Sequence, residues 1–81
     1  METIICSALR TDHRVYYRGL RHADCYEAKY KAGDKDGCAE GFVTSGNRFV
    51  TRSEAATIAY AAGQITDPSI KTLYSEDVWP E

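Results

Sequence analysis

The chain has 81 residues, 12 of them acidic and 10 basic, so its formal net charge is −2. A chain this short buries only about 60–65% of its unfolded surface, so we expect one domain over residues 1–81 with a marginal core. The negative charge argues against binding duplex nucleic acid, which requires a strongly cationic surface. No apolar run approaches the roughly 20 residues that cross a bilayer, so we expect no membrane insertion.

The three cysteines, Cys6, Cys25 and Cys38, are widely spaced and odd in number. No positively charged segment followed by an apolar run opens the sequence, as it would in a secretory signal. We therefore expect a cytoplasmic protein with reduced cysteines. The spacing of cysteine and histidine also lacks the close pairs of a metal site, so no metal is expected.

Small and β-branched apolar residues fill residues 3–9, and a polar turn then leads into Val15-Tyr16-Tyr17. This pattern predicts a hairpin. Residues 23–32 contain helix formers, with Tyr26 and Tyr30 four positions apart on one face, and Gly33 is a typical helix stop.

A second hairpin is predicted for residues 41–44 and 48–51, around a Ser-Gly-Asn turn. The segment Thr51-Arg52-Ser53-Glu54 matches a capping box, which predicts that a helix starts here and runs to Ala62. Val78-Trp79 indicates a tail that docks on its own sheet or on a partner subunit. The whole pattern predicts an α+β fold: a small antiparallel sheet of two hairpins plus a short C-terminal extended tail, covered by two helices.

Catalytic motifs are not evident in the sequence. His22 and Cys25 lie three residues apart, but nothing supplies an orienting third group, and no glycine has the spacing of a nucleotide-binding loop. We therefore expect no catalytic residues, no cofactor and no enzymatic activity.

Arginines instead lie beside turns and element ends: Arg18 and Arg21 flank Gly19, and Arg48 and Arg52 flank Phe49. Guanidinium groups bind phosphate bidentately, and aromatic rings stack on bases, so this combination favours a small nucleotide as ligand. The alternative is that each arginine is a solvated surface residue paired with a carboxylate. His22 adds a donor or, alternatively, hydrogen-bonds to the backbone where the helix starts. The predicted ligand-binding residues are Arg18, Arg21, His22, Arg48, Phe49 and Arg52.

The sequence resembles a family of small phage and prophage proteins. The resemblance lies in residues 41–45, 48–55, 62–65 and 73–79, and in Arg21-His22 after a Val-Tyr-Tyr strand. Within it, the chain is similar to the Thoeris anti-defence sponges, which sequester cyclic ADP-ribose isomers made by bacterial immune enzymes. The resemblance implies a protein of the host cell cytosol, a homo-oligomer (dimer or hexamer) with ligand sites between subunits, and in some members binding of cyclic oligonucleotides.

Two function classes follow. The first is an anti-defence sponge that binds a small cyclic nucleotide signal without cleaving it. The alternative is a small phage inhibitor that binds a host protein directly, with the acidic edge Ser75-Glu76-Asp77 facing a basic surface. An accessory nucleic-acid-binding or structural role fits the charge less well.

Overall fold

The computed structural model describes residues 1–80, so Glu81, the last residue of the predicted domain, lies outside it. The elements in this range are β1 (Ile4–Thr11), β2 (Tyr16–Gly19), α1 (His22–Lys31), β3 (Cys38–Thr44), β4 (Phe49–Thr51), α2 (Arg52–Ala61) and α3 (Ser75–Val78). The four strands form one antiparallel sheet in the order β2-β1-β3-β4. The predicted α+β class is confirmed.

One face of the sheet packs against the helices. Phe42 of β3 lies opposite Val50 of β4 in the register, and both are fully buried. Ala55 and Ala59 of α2 belong to the same core cluster. Because alanine side chains are small, α2 can approach the sheet closely, as the stripe of alanines in the sequence indicates.

The capping box predicted for α2 is confirmed. The backbone N–H of Glu54 donates to the hydroxyl of Thr51 over 3.2 Å, and the N–H of Thr51 donates to the carboxylate of Glu54 over 2.9 Å. Two of the backbone donors that a helix start leaves unpaired are thereby satisfied. At the other end, Gly63 adopts the left-handed conformation expected of a helix stop, with φ of 75°.

Helix α1 begins one residue before its predicted start. His22, Cys25 and Lys29 are buried, whereas Tyr26 and Tyr30 are exposed. Gly19 of β2 allows this approach, because a Cβ atom there would lie 2.7 Å from the Cβ of Asp24. The two tyrosines share a face as predicted, but that face points to solvent.

The prediction of an extended tail is wrong for Ser75–Val78, which form the one-turn helix α3. The carboxylate of Asp77 accepts from the backbone N–H of Tyr74 over 2.9 Å, and an acidic group at this position favours a helix start. The tail docks on the core of its own chain: the ring of Trp79 lies 6.4 Å from that of Phe42, centroid to centroid. The described residues contain no helix that is both long and apolar enough to cross a membrane.

Candidate functional site

The second face of the sheet carries a different set of side chains. Residues that lie opposite one another on neighbouring strands project to the same side of a sheet. Ala8 lies opposite Arg18 and Gly41, and Val43 lies opposite Phe49. These residues therefore face away from Phe42, Val50 and the helices.

An aromatic and cationic cluster covers this face. Phe49 extends its ring over Gly41, whose missing side chain leaves the necessary room. The ring lies 5.8 Å from that of Tyr16 at an angle of 60°, and the guanidinium carbon of Arg10 lies 4.9 Å from its centroid. The two rings come from β4 and β2, the opposite edges of the sheet, so their contact bridges the sheet.

Beside this cluster lies a groove of about 360 Å³. The residues that line it are Tyr16, Arg18, Val43, Asn47, Arg48 and Phe49. Arg18 donates from Nη2 to Oδ1 of Asn47 over 2.7 Å, which joins β2 to the turn between β3 and β4. Asn47 itself adopts a left-handed conformation with φ of 59°, which asparagine tolerates better than most residues.

Arg48, at the rim of the groove, is bound to Glu2. Its Nε and Nη2 atoms donate to the two carboxylate oxygens, each over 2.8 Å. The hydroxyl of Thr44 donates to the same carboxylate. These hydrogen bonds, with Arg48 contributing most, lower the pKa of Glu2 to about 2.

Three of the six predicted site residues, Arg18, Arg48 and Phe49, line this groove. The other three, Arg21, His22 and Arg52, lie outside it, among contacts that hold the helices and the tail. The structure therefore divides the predicted set into three residues that line the groove and three that do not.

Among the three residues outside the groove, Arg52 is held by the most interactions. Its side chain is 18% exposed, pairs with the carboxylate of Glu40, and donates from Nη1 to the carbonyl of Leu73 over 2.6 Å. Its guanidinium carbon lies 4.6 Å from the centroid of the Tyr74 ring. Arg52 thus fastens the tail to the start of α2. It pairs with a carboxylate, as the alternative interpretation expected, but it is largely buried and not solvated.

Arg21 and His22 also contact the chain itself. Arg21 donates to the carbonyl of Trp79. The Nε2–H of His22 donates to the carbonyl of Gly41 over 2.8 Å, and the His22 ring meets the Phe42 ring edge-on, with their centroids 5.0 Å apart. Burial lowers the pKa of His22, as does the nearby charge of Arg52, although the Gly41 carbonyl opposes this shift. The backbone-bonded alternative describes His22 correctly.

Sequence reasoning missed several residues of the sheet face that points away from the helices, which we call the open face. Tyr16 and Arg18 alternate along β2, and this period of two predicts a common face, so Tyr16 was accessible to prediction. Arg10 lies opposite Tyr16 across the first hairpin. Asn47 belongs to a turn, and no local signal indicates that Arg18 reaches it across two strands.

Comparison with known proteins places the chain in a family. The family model described as Phage T4 y16D protein matches residues 3–79. The chain belongs to this family. The predicted phage origin is thereby confirmed, while the family name carries no statement of activity or ligand. The comparisons with curated proteins and with solved structures each gave no match.

Proposed function

We propose that this phage protein binds a small nucleotide in the groove on the open face of the sheet. In this proposal Arg18 and Arg48 hold the phosphates, and Phe49 stacks on the base. The observation that carries it is the placement of two arginines and two aromatic rings around one concavity that the helices leave uncovered. Its volume of about 360 Å³ lies in the usual range for small-molecule sites, roughly 300–1,000 Å³.

Chemistry in the groove supports binding without turnover. Its lining consists of two arginines, two aromatic residues, a valine and an asparagine. Within residues 1–80, the lining includes no histidine, cysteine or carboxylate, the side chains that most often serve as general base or nucleophile. Arginine and aromatic rings are instead the groups that bind phosphate and stack on bases in nucleotide-binding proteins.

The ligand we propose is a cyclic ADP-ribose-type immune signal, or a cyclic oligonucleotide of similar chemistry. A protein that sequesters such a signal in the host cytosol acts as an anti-defence sponge. Membership of a phage family supports a role against the host, and the resemblance noted in the sequence supports this ligand class. Assembly into a homo-oligomer, a dimer or a hexamer, is part of the same proposal.

Titration calorimetry tests the groove directly. The wild type is titrated with ADP-ribose, isomers of cyclic ADP-ribose, and cyclic di- and trinucleotides. We expect Arg18→Ala, Arg48→Ala and Phe49→Ala each to weaken binding by about one to two decades, since a charged hydrogen bond contributes roughly 1.5–3 kcal/mol and a stacked base about 1–3 kcal/mol. Ligand recovered from the complex should be intact by chromatography.

Matched controls remove the same charge outside the groove. Arg21→Ala and Arg52→Ala should leave the affinity within about threefold, provided that both variants are measured well below their melting temperatures. A loss of a decade or more in either control places the ligand on the helix side of the sheet. No heat with any of the probes rejects the sponge, and a cleaved product rejects binding without catalysis.

A direct inhibitor of a host protein is the second candidate. Glu76 and Asp77 of α3 are both exposed, so they form an acidic edge that a basic protein surface would complement. Native mass spectrometry of the protein, with and without cyclic ADP-ribose isomers, separates the two candidates. A sponge gains the mass of the nucleotide, and the same spectrum gives the number of subunits.

A further inference from the structure

The two arginines of the groove differ in what they contact. Arg18 hydrogen-bonds through its side chain to Asn47, a neutral amide, and among residues 1–80 no carboxylate lies within ion-pair distance of it. Arg48 instead pairs with Glu2, a full negative charge. One cation of the groove is therefore open to a ligand, and the other is already occupied.

The way Glu2 contacts Arg48 resembles the way a phosphate would. Two parallel N–H donors meet two oxygen atoms, at 2.8 Å each, which is the forked geometry that arginine uses for both carboxylate and phosphate. The hydroxyl of Thr44 adds a third donor to the carboxylate. A ligand phosphate cannot use this edge of Arg48 while Glu2 holds it.

We propose that Glu2 is an internal competitor of the ligand, and that its displacement from Arg48 sets the affinity of the groove for phosphate. This inference rests on the proposed nucleotide site. The pair can open, since the side chain of Arg48 is 54% exposed and exposed ion pairs contribute little to stability. Each phosphate of a pyrophosphate or phosphodiester carries a full negative charge and accepts the same forked pair of hydrogen bonds, so it can replace the single carboxylate charge of Glu2.

Protonation is not the route by which Glu2 leaves. Because its pKa is about 2, the carboxylate stays charged at any pH at which the protein would meet a nucleotide. Only another anion, or screening by salt, releases Arg48. The contact therefore responds to the ligand and is insensitive to pH near neutrality.

Glu2→Gln tests the inference, because it removes the charge and nearly preserves the shape. Calorimetry with ADP and with cyclic ADP-ribose should show binding about two- to fivefold tighter than that of the wild type, which corresponds to the loss of one exposed ion pair. Glu27→Gln is the matched control, since Glu27 forms an exposed pair with Lys31 on α1. Its affinity should equal that of the wild type.

A double-variant cycle shows whether the gain passes through Arg48. In an Arg48→Ala background, Glu2→Gln should no longer change the affinity. If the Glu2→Gln single variant binds as the wild type does or more weakly, and its circular dichroism is unchanged, the inference is overturned. The nucleotide site then still stands, and Glu2 serves to orient Arg48. If neither ADP nor cyclic ADP-ribose binds to the wild type or to Glu2→Gln, both the inference and the proposed function are rejected.

Discussion

The ring of Phe49 lies over Gly41, and a Cβ atom on Gly41 would come within 2.4 Å of its Cζ atom. The same Cβ would lie 2.2 Å from the carbonyl oxygen of Val50, which is backbone and cannot rotate away. Two elements of the open face, the aromatic ring and the pairing of β3 with β4, thus depend on the absence of one side chain.

Gly41→Ala should therefore destabilise the protein by about 1–3 kcal/mol, as overpacking of a core does. We also expect weaker nucleotide binding, because the Phe49 ring must move. Gly37→Ala is the control: the atom nearest to its Cβ would be a carboxylate oxygen of Asp12, at 2.9 Å, and this flexible side chain can move at little cost. Urea denaturation of both variants gives the comparison, and equal midpoints would contradict the close packing described above.

Thr51→Ala should lower the free energy of unfolding by about 0.5–2 kcal/mol, because it leaves the N–H of Glu54 without its acceptor at the start of α2. Thr57→Ala is the matched control, since Thr57 is exposed in the middle of the same helix. Alanine has the higher helix propensity, so this control should be neutral or slightly stabilising. Thermal melts followed by circular dichroism measure both, and an unchanged melt of Thr51→Ala would show that the cap contributes nothing.

The sequence predicts those parts of the fold that depend on local chemistry. Three such features are the capping box of α2, the glycine that ends α1 and the turn at Asn47. Each depends on residues that are close together in the chain, and each lies where the sequence predicts it. The start of β3 at Cys38 was missed, because its first residues are paired by β1 rather than by their own propensity.

The candidate site was only half predicted, for a physical reason. An arginine next to a turn can bind a ligand or can fasten the tail of its own chain. Which of the two it does depends on whether the fold places backbone carbonyls beside its guanidinium group. Arg52 meets the carbonyl of Leu73, 21 residues away, and Arg21 meets that of Trp79, 58 residues away. No local pattern encodes contacts at such separations.

Arg52→Ala should lower the free energy of unfolding by about 1.5–3 kcal/mol, since it removes charged hydrogen bonds to Glu40 and to the Leu73 carbonyl. Arg48→Ala removes the same side chain from the exposed rim of the groove and should have a smaller effect on stability. Because urea is uncharged and does not screen ion pairs, urea denaturation of the two variants side by side gives the comparison. Equal losses would mean that Arg52 does not fasten the tail.

Trp79→Ala should destabilise the protein by about 1–3 kcal/mol, less than a fully buried tryptophan would, because this ring is only partly covered. Since the ring packs on Phe42 of its own chain, the loss should be the same at every protein concentration. Melting over a hundredfold range of concentration checks this. A loss that grows as the concentration rises would place Trp79 at a subunit contact, as a homo-oligomer docked through the tail requires.

His22 should make the protein less stable in mild acid. Its pKa is lowered in the folded state, mainly by burial, so the unfolded chain binds a proton first as the pH falls below the ordinary value of 6.5. Stability is then complete above 6.5 and declines as the pH falls toward the lower, folded-state pKa. His13 has the opposite sign: its bond to Asp36 raises its pKa, so its contribution is present below 6.5 and is lost as the pH rises through the raised value.

The two histidines can be separated by substitution. In a His13→Ala background, the melting temperature should fall between about pH 6.5 and pH 5, a range in which glutamates and aspartates still remain largely charged. Adding His22→Gln should flatten the curve over this range, because the glutamine amide does not titrate and can still donate to the Gly41 carbonyl. Titration of the imidazole by NMR gives the folded-state pKa independently. A value for His22 at or above 6.5 would show that its burial has no electrostatic cost, and the decline in mild acid would then need another source.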